Sequence, residues 1–301
     1  MIPAVRRGFG RHRPWPLCRQ CYGLALDVGG ARTRAWTSDR GTILDVPTAA
    51  GSGTGAPPRR GGVDSAGTAR LLDRLFGDHG AGGGRGRPLV IVSGPVLDGV
   101  AHRDRVRAAV DVLRPRAVLT VPTARAVAVA ARADLSRPLL VVDLGARLTE
   151  VVLLADGAVV DARGAALGTG DVAGGAPGTA GGDGVPVSTA GGDGTVPPAA
   201  PPAAPPAALL VDAVTAMVTA MLEEDRTPQT LDALRRGVLL AGGGASRPEI
   251  PYRLTGRLHA PVRPVPAPHT AAVRGAAELL RAAHTHPSAA GVAGAGTPRP
   301  R

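Results

Sequence analysis

Two segments of the sequence carry the same set of groups suited to holding phosphate. Leu26-Asp27-Val28-Gly29-Gly30-Ala31-Arg32-Thr33 and Val142-Asp143-Leu144-Gly145-Ala146-Arg147-Leu148-Thr149 each end an apolar run on an aspartate. A glycine follows two residues on and a threonine six residues on, and matched positions are 116 residues apart. An aspartate at a buried strand end can hold a metal-bound water. Glycine lets backbone N–H groups approach phosphate oxygens with no Cβ in the way. A threonine hydroxyl adds a hydrogen bond. Two such hairpins facing each other would grip a nucleotide tail between two related domains. Asp-x-Gly is also common in ordinary turns, so the matched spacing and flanking strands are what single out the pair.

The apolar pattern gives the elements that must position these groups. Residues 23–28 read as a strand running into Gly29-Gly30, followed by strands at 34–38 and 42–46 in a short antiparallel meander. Leu71, Leu72, Leu75 and Phe76 fall at helical spacing. The run at 88–93 is continuously apolar, the mark of a strand buried on both faces. A helix near 101–113, a strand at 117–121, a helix near 123–133 and a buried strand at 139–142 follow. Strands at 150–155 and 158–163 flank an Asp156-Gly157 turn. Residues 168–208 are low in complexity, with Thr-Ala-Gly-Gly-Asp-Gly at 179–184 and again at 189–194, and read as a linker that cannot bury enough to order. Leu210, Val211, Val214, Met217, Val218, Met221 and Leu222 then mark one helix face, whose polar side has no Arg and so favours core packing over membrane docking. A strand at 237–241, the run Gly242-Gly243-Gly244, a helix near 249–258, a strand at 262–266 and a helix near 270–283 complete an α/β architecture.

Composition narrows the function classes. The chain has 301 residues, and its 35 basic residues are all Arg, against 24 acids. The absence of Lys and Asn follows a GC-rich codon supply. The net charge of +11 invites a nucleic-acid reading, but residues 1–20 hold five Arg and no acid, and 259–301 carry +4, leaving about +2 for the body. No specific nucleic-acid partner is therefore expected; binding through the tails remains an alternative. No apolar run reaches the ~18 residues of a membrane span, and the N-terminus has no secretory h-region. Two cysteines cannot form a disulfide framework, and a cytoplasmic location is expected.

In these segments the chain resembles the actin/Hsp70/sugar-kinase ATPase superfamily, and within it the bacterial MreB (rod shape-determining) family, over residues 23–283. ALDVGGARTRAWTSDRGTILDVPTAA is similar to the family's first phosphate segment, LLVVDLGARLTEVVLLADGAVV to its second, GVLLAGGGA at 237–245 to its adenosine segment, and VRGAAELL at 273–280 to its closing helix. The resemblance implies an actin-like (ribonuclease H-like) α/β fold, with two related domains around a nucleotide cleft and small outer subdomains missing. The implied divisions are a basic disordered tail at 1–22, domain I at 23–137, domain II at 138–268 with the insertion 168–208, a helix at 269–283 returning to domain I, and a tail at 284–301. It further implies ATP with Mg²⁺ held through water by Asp27 and Asp143, and cofactor contacts from Gly29, Gly30, Thr33, Gly145, Arg147, Thr149 and Gly242, Gly243 and Gly244. The implied setting is cell-shape and cell-wall organisation. Partners would be a full-length homologue or further copies of the chain, and an anionic membrane surface met by the N-terminal tail with its Phe9, Trp15 and Leu17.

The departures matter as much. Gly30 and Arg32 replace the family's Thr and Asn, and Ala146 and Arg147 stand where glycines are usual. Arg147 either binds a phosphate bidentately, fills its place, or points outward. Arg105 falls at the position of the water-activating glutamate, with Asp104 one residue off, a rotation of about 100° on a helix; weak binding with reduced or absent hydrolysis follows. A nucleotide-free scaffold is the alternative. A small-molecule kinase of the superfamily would need a substrate module that the body lacks. Outside the resemblance, Cys18-Arg19-Gln20-Cys21 with His12 could bind zinc, form a redox pair, or be two reduced thiols. His284 and His286 read as solvated tail residues.

Overall fold

The computed structural model describes residues 13–18, 21–48, 64–77, 87–97, 99–170 and 206–286. Two five-stranded sheets repeat one plan. The first contains β1 (Gly23–Val28), β2 (Arg32–Thr37), β3 (Ile43–Pro47), β4 (Leu89–Gly94) and β5 (Ala117–Pro122), in the order β3-β2-β1-β4-β5. The second contains β6 (Leu139–Leu144), β7 (Thr149–Ala155), β8 (Ala158–Ala165), β9 (Val238–Ala241) and β10 (Val262–Pro264), in the order β8-β7-β6-β9-β10. Each sheet begins as an antiparallel meander and continues through parallel pairs. The equivalence extends to register: Asp27 faces Arg34 and Val28 faces Thr33, while Asp143 faces Glu150 and Leu144 faces Thr149.

Helices cover both faces of each sheet. α1 (Ser65–Phe76) and α2 (Gly99–Val110) bury Leu72, Phe76, Val106, Ala109 and Val110 against the outer face of the first sheet. α4 (Pro206–Glu224), α5 (Gln229–Arg236) and α6 (Glu249–Leu258) cover the outer face of the second. Between the sheets lie α3 (Thr123–Ala130) and α7 (Ala271–Thr285). α3 turns Ala124, Val127 and Ala128 to the second sheet and Ala126 to the first. α7 likewise divides Ala271 and Ala272 from Val273, Ala276, Ala277 and Leu280. Small side chains allow this pair to approach closely: a Cβ added at Gly275 would stand 1.7 Å from the Ala126 carbonyl oxygen.

The Asp156-Gly157 turn has positive φ at both residues, 50° and 70°, as a two-residue hairpin of this hand requires. The helix face from Leu210 to Met221 packs into the core. α4 begins at Pro206, inside the Pro/Ala run, because proline is tolerated in the first turn of a helix. α5 was not expected from the sequence. It is short, its buried residues are only Thr230 and Ala233, and Asp225 holds its start by accepting from the Thr227 and Thr230 N–H groups at 2.7 Å each. The repeats within 171–205, the loop 49–63 and His12 lie outside the described residues.

Parts of both expected tails, near Trp15 and at His284, are folded, while His286 is exposed. His284 is fully buried at the end of α7 and stacks on Trp15, with ring centroids 3.9 Å apart and planes 6° from parallel. Trp15 meets Trp36 edge-on and donates from Nε1 to the Cys21 carbonyl. Trp15 is thus engaged in the fold, whereas Leu17 is 69% exposed. Among the described residues no helix is long and apolar enough to cross a membrane.

The α3–α7 crossing sets a stability test. Gly275→Ala should lower unfolding free energy by about 2–3 kcal/mol, as overpacking a closed contact does, read as a shift in the urea midpoint at unchanged m value.

Candidate functional site

The carboxyl ends of the central strands β1 and β6 meet at a cleft of about 260 Å³ between the sheets. This is where parallel strand ends and the loops after them leave room for a ligand. Asp27, Gly29, Gly30, Asp143, Gly145, Arg147, Gly242 and Gly243 all line it. Each hairpin is closed in the same way: the Gly29 N–H donates to the Arg32 carbonyl at 3.0 Å, and the Gly145 N–H to the Leu148 carbonyl at 2.9 Å. A Cβ at either glycine would stand within 2.9 Å of that carbonyl oxygen. These two N–H groups are therefore spent on the turns and are not aimed at a phosphate.

Gly242 has φ +85°, and a Cβ there would meet Asp143 Oδ1 at 2.6 Å. Gly243 faces open space, so this turn forms a bare floor. Arg147 crosses from the second hairpin to the first, its Cδ 3.2 Å from where a Gly30 Cβ would be. It spans the gap between the hairpins and does not point away from it.

Four expected site residues stand outside the cleft lining. Thr33 is buried and shares a hydrogen bond of 3.0 Å with Thr48. Thr149 is buried and donates to the Leu167 carbonyl at 2.8 Å. Strand register explains both, because these threonines begin the return strands and face inward. Gly244 is a packing residue, since a Cβ there would meet the Leu144 side chain at 2.7 Å. Asp104 is exposed and lines, with Arg103 and Arg107, an adjoining depression that shares Gly94, Pro95 and His102 with the cleft. The only α2 side chain on the cleft, among the described residues, is His102.

Other side chains complete the site. Arg34 lines the cleft and pairs with Asp27 at 3.6 Å and with Asp45 at 3.2 Å. Ser93, beside Asp27 in the register of β4, donates to Asp27 Oδ1 at 3.3 Å. Glu150 reaches out of the second sheet to the loop after β4, where its carboxylate accepts from the Val96 and Leu97 N–H groups at 3.3 and 2.9 Å. Thr169 ties the start of the low-complexity stretch to the second hairpin by donating its N–H to the Gly145 carbonyl at 2.9 Å. Arg34 is legible in the sequence once the hairpin register is drawn, because it is the cross-strand partner of Asp27. Ser93 requires the parallel pairing, which no local signal supplies.

Three carboxylates thus share one junction, Glu150 buried and Asp27 and Asp143 half-buried. Burial pushes Asp27 up, against the pull of Arg34 and Ser93. Burial also raises Glu150, against its two N–H donors. Asp143 is pushed up to about 7 by burial, then by Asp27 and Glu150. Among the described residues it has no hydrogen-bond or ion-pair partner. A hard oxygen donor set with surplus negative charge fits a magnesium ion, with Asp143 the group that gains most. Arg34 competes for Asp27.

A chain built this way, with a duplicated β-meander-and-crossover sheet, a helix pair between the halves and carboxylates at the junction, has the actin-like ATPase fold. Among solved structures it is similar to MreB5 of Spiroplasma citri bound to ADP, with a TM-score of 0.67 and 15% identity over 88% of this chain and 98% of that one. It is also similar to the MamK double helical filament, with a TM-score of 0.63 and 14% identity over 86% and 98%. The ethanolamine utilization protein EutJ from Carboxydothermus hydrogenoformans gives a TM-score of 0.50 at 13% identity over 88% and 91%. No protein-family model matches the sequence, and no match is found among curated proteins.

The raised Asp143 carboxyl sets a pH dependence. Its folded value lies above its unfolded one, so the native state holds more protons between about pH 4 and 7 and stability falls as pH rises through that window. Asp143→Asn should therefore be the more stable protein at pH 8, by on the order of 1–3 kcal/mol, and the gap should close toward pH 4. Urea melts across that range check the sign.

Proposed function

We propose that this chain is an actin-fold protein that binds Mg-ATP weakly in the junction cleft, turns it over very slowly, and works in cell-shape and cell-wall organisation. Its partner is a longer actin-like homologue or further copies of itself. One observation carries this reading: the cleft keeps Asp27, Asp143 and the Gly242-Gly243 floor, yet takes guanidinium groups from Arg34 and Arg147 and no acid from α2. Asp27 and Asp143 would hold the magnesium ion, which would neutralise phosphate charge. Gly243 leaves space for a flat base or sugar. Arg147 supplies a fixed positive charge beside Gly30, suited to a phosphate oxygen. Among the described residues no α2 carboxylate lines the cleft to orient water, which removes general-base assistance from that helix.

One named neighbour is a filament, which supports assembly as the setting, and another carries ADP, which supports nucleotide binding. The second reading, a nucleotide-free scaffold, is favoured by the Asp27–Arg34 pair, which partly neutralises Asp27 without a metal.

Millimolar Mg-ATP should raise the melting temperature of the native chain, because a ligand that binds only the folded state must stabilise it. Arg147→Ala should weaken that binding about tenfold, roughly 1.4 kcal/mol. No shift in the native chain, or tighter binding by Arg147→Ala, would favour the scaffold. Rapid hydrolysis abolished by His102→Gln would sink the slow-turnover reading.

A further inference from the structure

Among the described residues, a group of three metal-ligating side chains lies outside the cleft, where the two ends of the described chain meet. One donor atom each from Cys18, Cys21 and His284 lies within 4.8 Å of the other two. Three separate features bring them there. A turn closed by Leu17 and Cys18 N–H groups donating to the Pro14 carbonyl presents Cys18. Cys21 precedes β1, its carbonyl held by the Trp15 Nε1–H at 2.9 Å. His284 sits near the end of α7, its ring clamped flat against Trp15. Both cysteines are reduced and half-buried, and the histidine is buried.

We propose that Cys18, Cys21 and His284 bind a zinc ion that clasps the segment before β1 to the end of α7. Two thiolates and an imidazole are a set that zinc accepts, with Zn–S of about 2.3 Å and Zn–N of about 2.0 Å. Neighbouring donors on such a tetrahedral ion stand roughly 3.5–3.8 Å apart, so closure needs only a small inward movement of side chains already within 4.8 Å. The histidine tautomer suits this role. His284 Nε2 lies 3.2 Å from the Arg13 carbonyl, which can only accept, so Nε2 carries the proton and the lone pair is on Nδ1. A carbonyl fixing the far nitrogen is the usual support of a ligating histidine. Water completes the fourth position, since both cysteines are only half-buried. The ion joins two chain positions more than 260 residues apart, so it restrains both ends against fraying.

The test uses the full chain, purified reduced and without a histidine tag. With added zinc chloride, elemental analysis after dialysis should find one zinc per chain. Cobalt(II) in its place should give a thiolate-to-metal charge-transfer band in the near ultraviolet. Zinc should raise the melting temperature of the native protein and leave that of Cys21→Ser unchanged. His284→Gln should weaken uptake at least tenfold, and His12→Gln should leave it unaltered. The near-ultraviolet dichroism of the tryptophans reports whether each variant keeps its fold. The native chain decides the matter whatever the variants do: no stoichiometric zinc, or no thiolate band with cobalt, overturns the proposal. Equal affinity in folded His284→Gln would also overturn it, because the cysteines alone would then be the site.

Discussion

Negative charge buried where the two sheets meet is the constraint on which the centre of the molecule depends. Asp27, Asp143 and Glu150 converge there, and like charges in a poorly solvated space repel strongly. The molecule answers differently for each. Asp27 receives a guanidinium and a hydroxyl. Glu150 receives two backbone N–H groups from the loop after β4 of the other sheet. Asp143 receives nothing comparable, and its carboxyl rises to about 7. The solution for Glu150 also joins the halves, because a carboxylate of the second sheet organises the loop after β4 of the first. The unanswered Asp143 is the point at which an added cation does most work.

The duplication makes the asymmetry plain. Asp27 and Asp143 occupy equivalent register positions, but their cross-strand partners are Arg34 and Glu150. One half of the site is internally neutralised and the other is electron-rich. A ligand with a divalent cation and a polyphosphate would meet the second aspartate and Arg147 more productively than the first hairpin. That polarity is a property of two residues on the return strands, not of the glycine turns, whose N–H groups are consumed locally.

Much of the fold was legible because its signals are local. The apolar runs of β1, β4 and β6, the Asp156-Gly157 turn and the α4 stripe each report burial or backbone conformation within a few residues. The matched aspartates located the cleft for the same reason. What was hidden is non-local. Thr33 and Thr149 matched a motif, yet register commits them to packing. Trp15 and His284 lie in stretches whose composition reads as tail, and only α7 returning along the first sheet brings them together. Ser93 likewise acquires its partner from a parallel pairing across 66 positions.

The helix pair between the sheets explains how such a cleft can persist in altered form. α3 and α7 each contribute side chains to both inner faces, and their backbones touch at Ala126 and Gly275. The halves are therefore joined by dense apolar packing that requires nothing in the cleft. Apolar burial of this kind dominates the stability of a domain, whereas a weak ligand adds only in proportion to its occupancy. Ala146 and Arg147 at the rim bear on what the cleft can hold and take no part in that packing. Gly275 and the small residues of α3 are under the opposite restriction, because any added atom there would separate the sheets themselves.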